Sequence, residues 1–130
     1  SLGSLDRPTY WQRTNMPHLD AEYRERGETL DRLLTGNGRR ILLTHYPPTY
    51  VTMGGEKEAW RPELGCRALE PVLLRRQPTL VVHGHIHKGI PSADLVPPRR
   101  TLDAFAETSR PVAVHNVAYP VRKSITIFDL

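Results

Sequence analysis

The chain has 130 residues, of which 38% are hydrophobic and 25% charged, the profile of one ordinary globular domain. No run approaches the ~18 apolar residues of a membrane span, nothing at the N-terminus reads as a signal peptide, and a single cysteine, Cys66, excludes an internal disulfide or a thiolate zinc cluster. The formal charge is +4 and 15 of the 18 basic residues are arginine, but they fall in scattered pairs such as Arg39-Arg40, Arg75-Arg76 and Arg99-Arg100. No basic stripe with interleaved aromatics forms, so a nucleic-acid partner is not expected, and one lone thiol suits a reducing cytoplasm, the expected location.

Residues 1–18 carry Gly3, Pro8 and Pro17 and read as an irregular lead-in. From 19 to about 34 the apolar positions Leu19, Tyr23, Leu30, Leu33 and Leu34 recur at helical spacing, and Gly36-Asn37-Gly38 closes that helix. Residues 40–45 form an apolar run without alternation, which predicts a strand buried on both faces. Tyr46-Pro47-Pro48 stops it and leaves His45 at its tip. A loop over 46–63 leads to a second helix that starts or kinks at Pro71 and ends near Arg76. Residues 79–85 are a second apolar strand running into His83-Gly84-His85. The proline-rich segment 88–110 reads as a long loop or insertion, with a short helix near 102–108. Residues 112–117 and 124–128 are expected to pair as a hairpin, and the whole order implies an α/β fold of sheet and helices.

Three histidines therefore stand at strand ends: His45 after one strand, His85 and His87 after the next. Sites in open α/β sheets form outside the carboxyl ends of strands. In an extended segment, residues two apart point the same way, so His85 and His87 would face one centre, with Gly84 supplying close approach or an unusual backbone conformation. Neutral imidazole suits zinc, iron and manganese. One strand-end histidine alone is more simply a structural residue, but three at two strand ends are not. His18, His83 and His115 lack such support and read as structural or surface positions. Cys66 reads as a small, half-buried hydrophobe.

Leu42-Leu43-Thr44-His45-Tyr46-Pro47-Pro48, followed some forty residues later by Val81-Val82-His83-Gly84-His85-Ile86-His87, resembles the last two of five motifs of the calcineurin-like metallophosphoesterases. The resemblance extends from about residue 19 to residue 130, and the closing β stretch with Asn116 is similar to that family's ending. It implies the C-terminal half of a β-sandwich flanked by helices. It also implies hydrolysis of phosphate mono- or diesters at two divalent ions (Mn, Fe or Zn), His45 and His85 on one and His87 on the other. Two such ions orient a phosphate ester and neutralise its leaving oxygen. Tyr46, beside a ligand, would touch substrate or pack on Pro47.

The family's upstream Asp-x-His, Gly-Asp-x-x-Asp and Gly-Asn-His motifs do not occur here. The bridging carboxylate and the general acid are therefore expected upstream of Ser1. Three neutral imidazoles provide no anion between two cations, so the chain by itself is expected to hold at most one ion weakly and to be inactive. An N-terminal half, as a cleaved fragment or separate chain, or self-association, is the expected partner, covering sheet edges and apolar faces otherwise left open. The competing readings are a non-catalytic scaffold of the same fold and a metal-dependent nuclease.

Overall fold

A computed structural model of the chain describes residues 6–97 and 110–129. Helix α1 (Tyr10–Asn15) opens the described chain, followed by α2 (His18–Leu33), strand β1 (Ile41–Thr44), α3 (Arg61–Leu64), α4 (Glu70–Arg76), β2 (Leu80–His83), β3 (Ser92–Leu95), β4 (Val112–Asn116) and α5 (Tyr119–Arg122). The fold is mixed α/β. Its four-stranded sheet has the order β1-β2-β4-β3, with β1, β2 and β4 parallel and β3 antiparallel to β4.

The lead-in is not irregular throughout. Thr9 and Gln12 form a reciprocal capping box, the Thr9 hydroxyl accepting from the Gln12 amide and the Gln12 side chain from the Thr9 amide, and this starts α1. Helix α2 begins at His18, and Gly36 and Gly38 beyond its end both take positive φ, as their sequence context requires. Pro71 lies in the first turn of α4, where its missing N–H costs no hydrogen bond. The 46–63 loop contains a 3-10 turn at Glu58–Trp60 and the short α3.

Two expectations for the C-terminal third are corrected. The 88–110 segment contains β3, whose Ser92, Ala93, Asp94 and Leu95 pair with His115, Val114, Ala113 and Val112. Residues 124–128 form no strand, and Tyr119-Pro120 begins α5 rather than a hairpin turn, so the antiparallel partner of β4 precedes it in the chain. The helix expected near 102–108 lies outside the described residues.

The core lies between one sheet face and two helices. Leu42, Val81 and Val114 share that face through the strand register and pack with Leu30 and Leu34 from the α2 end and Val72 and Leu73 of α4. Polar clasps join the helices at their ends. Arg40 donates to the carbonyls of Leu34, Gly36 and Arg76, satisfying groups left open at the C-termini of α2 and α4. Arg75 and Arg76 both bond Asp31, and these guanidinium contacts hold its carboxyl well below the usual carboxylate range.

Strand β2 is buried throughout, as its apolar run predicts, but β1 is not. On the face away from the helices Ile41 is 49% and Leu43 74% exposed, because β1 is an edge strand among the described residues. No helix among the described residues is long and apolar enough to cross a membrane.

Candidate functional site

The parallel strands β1 and β2 end side by side, and the ladder continues one step past them, Gly84 N–H donating to the His45 carbonyl at 3.1 Å. This brings the segments after the two strands together. The His45 and His85 rings have centroids 5.1 Å apart, and the Tyr46 ring meets His45 edge-on at 4.8 Å and His85 at 4.3 Å. Tyr46 is thus packed against both imidazoles, while Pro47 and Pro48 behind it are buried.

The backbone around His85 departs from the sequence expectation. The strand ends at His83, and His85, not Gly84, takes the left-handed conformation, with φ 64°. Ile86 N–H donates to the Gly84 carbonyl at 2.7 Å, so residues 84–86 form a γ-type turn of the strained, positive-φ hand. Such conformations cost free energy and persist only where neighbours over-determine them. Those neighbours are identifiable. Ile86 is fully buried, and its carbonyl accepts from the buried Asn116 side chain at 2.8 Å. Asn116 in turn accepts from the Ala118 amide, and its own amide donates to Pro91. His85, half-buried, and His87, exposed, therefore flank an anchored isoleucine rather than alternating along a strand.

A second loop buttresses this turn. Ile90 N–H donates to the Thr52 carbonyl and Lys88 N–H to the Glu56 carboxylate. A side chain at Gly55 would collide with the Lys88 backbone, and one at Gly89 with the Thr52 carbonyl, so both positions need glycine for the two loops to close. Glu56 is the functional-site neighbour that sequence reasoning missed, since nothing in Gly54-Gly55-Glu56 signals its approach to residues some thirty positions later.

His83 is fully buried, and its role is structural. Its Nδ1–H donates to the Gly84 carbonyl at 2.8 Å, which leaves Nε2 to accept from the Thr52 hydroxyl at 2.7 Å. Burial is the main cause that lowers its pKa and keeps the ring neutral. The pKa of His85 is also lowered, chiefly by burial and then by the positive charges that His45 and His87 would carry, while the Glu56 carboxylate opposes the shift. His115 packs edge-on against Phe128 and lies 3.4 Å from Arg122, and His18 is exposed at the start of α2.

A cavity of about 750 Å³ opens beside His45, between α2 and α4. Thr44, His45 and Tyr46 contribute to its lining, as do Tyr23, Leu69 and Val72. Cys66 also lines it, and burial pushes its thiol up to about 11.

The donor set fits part of a metal site. His45 and His85 are neighbours with His87 close by, but among the described residues no group of three or more His, Cys, Asp or Glu stands as a metal ion would require. Comparison with protein-family models, curated proteins and solved structures finds no match. Fold and geometry define a mixed α/β domain with a histidine cluster at the carboxyl ends of two adjacent parallel strands.

Proposed function

We propose that this chain is the histidine-bearing portion of a divalent-metal-dependent phosphoesterase, the C-terminal part of a helix-flanked β-sandwich of the calcineurin-like type. The observation that carries the reading is the pairing of His45 and His85 at 5.1 Å, with His85 held in a strained turn by buried neighbours. A satisfied structural histidine needs no such strain, as His83 at the end of β2 illustrates.

In this reading His45 and His85 would hold one ion and His87 would face a second, with Tyr46 limiting how the two rings move. Bound ions of this kind supply charge neutralisation for a phosphate ester. The chain's own residues orient the imidazoles, and Ile86 and Asn116 keep them in place. Three neutral donors cannot hold two cations together, so carboxylates from outside the described residues complete the site. The exposed Ile41 and Leu43 on edge strand β1 offer an apolar surface where the rest of such a sandwich would pack.

A small ester is favoured over nucleic acid. Arg40, Arg75 and Arg76 are committed to backbone carbonyls and to Asp31, which leaves fewer guanidinium groups for a phosphate backbone.

The test is hydrolysis of p-nitrophenyl phosphate and its bis-ester, with manganese, by the chain joined to the segment that precedes it. Metal-dependent release of nitrophenol that is lost in His85→Ala is the expected outcome. Hydrolysis absent with every divalent metal, or unchanged in His85→Ala, would overturn the reading.

A further inference from the structure

The 750 Å³ cavity between α2 and α4 falls in the range of about 300–1,000 Å³ typical of small-molecule sites. Its character is apolar. Pro47, Pro48, Leu69, Val72 and the Tyr23 ring contribute to its lining. The arginines on its border are already engaged, Arg24 with Glu28, Arg26 with Glu22 and the Tyr23 ring, and Arg75 with Asp31. Charge therefore does not recruit a second anion into it.

A further feature distinguishes it from ordinary loose packing. Gly27 lies inside α2, where glycine is a poor helix former, and a Cβ added there would meet nothing within 4 Å. The missing side chain leaves room that any larger residue would take.

We propose that this cavity is the subsite for the alcohol portion of the phosphate ester, and that this portion is a bulky apolar group. The inference rests on the phosphoesterase reading, because His45 and Tyr46, which line the cavity, are where that reading puts the phosphate. On hydrolysis the P–O bond to the alcohol breaks, the water oxygen joins phosphorus, and the alcohol oxygen takes a proton. The neutral alcohol then leaves from a cavity whose arginines are already paired.

Cys66, the only cysteine, lines the cavity and reports its occupancy. In the full chain the rate of Cys66 modification by methyl methanethiosulfonate is measured with 1-naphthyl phosphate or glycerol phosphate added. Since only free protein reacts, 1-naphthyl phosphate at about nine times its Kd should slow modification about tenfold. Glycerol phosphate at the same concentration should leave the rate unchanged. Gly27→Leu should abolish the protection and Gly27→Ala reduce it, with circular dichroism and the urea midpoint showing that both remain folded. The proposal is overturned if 1-naphthyl phosphate gives no protection, if protection persists in Gly27→Leu, or if glycerol phosphate protects equally. Failure of the phosphoesterase reading is told apart from failure of the subsite by its own readout, missing metal-dependent hydrolysis of p-nitrophenyl phosphate.

Discussion

Replacing Asn116 by alanine tests how the strained turn at His85 is held. The substitution removes the Asn116 donor to the Ile86 carbonyl at 2.8 Å and its acceptor for the Ala118 amide at 3.1 Å. Asn116 is fully buried, so water cannot replace either partner without entering the interior. A lost neutral hydrogen bond costs about 1 kcal/mol, and a buried group left unsatisfied costs about 1–3 kcal/mol. With two partners orphaned, the expected loss is about 2–4 kcal/mol. In urea, with a slope of about 1–3 kcal/mol per molar, that lowers the midpoint by roughly 0.7–4 M. Asn116→Asp separates the two bonds, since it keeps the acceptor for Ala118 but turns a carboxylate toward the Ile86 carbonyl. It should be at least as destabilising as alanine. Amide hydrogen exchange at Ile86, which donates to Gly84 across the turn, should accelerate in both variants by more than global unfolding accounts for. A midpoint within experimental error of wild type, with unchanged Ile86 exchange, would refute the argument that Asn116 holds the turn.

Two further outcomes are expected. Arg40→Ala removes three bonds that tie the ends of α2 and α4, and should cost about 2–4 kcal/mol in urea unfolding; Arg40→Lys, with a single ammonium in place of the planar fork, should recover only part of it. A cost below about 0.5 kcal/mol, the scatter of surface substitutions, would mean that the clasp carries no stability. The pKa of His115 is lowered from its ordinary 6.5 by burial and then by Arg122, with Asp94 opposing, so the native state takes up this proton less readily than the unfolded chain. The His115 contribution to stability is therefore intact above pH 6.5, falls as pH drops through that value, and levels off below the native pKa. Titration of the His115 ring by NMR should give a midpoint below 6.5 that rises in Arg122→Gln; a midpoint above 6.5 contradicts the assignment.

The parts of the fold legible in the sequence are those specified by local chemistry. Helix α2 shows in apolar spacing and in the Gly36-Asn37-Gly38 stop, and both glycines take the positive φ that stop requires. Strands β1 and β2 show as apolar runs cut off before prolines or glycine, which is why His45 and the segment around His85 could be placed at strand ends. Helix α1 was equally legible in Thr9-x-x-Gln12, but the flanking prolines argue for a loop and mask it. Strand β3 was not legible. Ser-Ala-Asp-Leu has little intrinsic β preference, and its conformation comes from pairing with β4.

The candidate site divides in the same way. Sequence by itself determined which imidazoles stand beyond the ends of β1 and β2, because strand termination is a local property of proline, glycine and the apolar run. Only the tertiary structure decided that His45, Tyr46 and His85 meet, that His85 rather than Gly84 bears the strained backbone, that Glu56 reaches the neighbouring turn, and that a cavity opens behind His45. The first three depend on contacts between residues about thirty to forty positions apart, and the cavity on separate segments of the chain. Their geometry follows from parallel strand register and loop packing, which a reading of neighbouring residues does not contain.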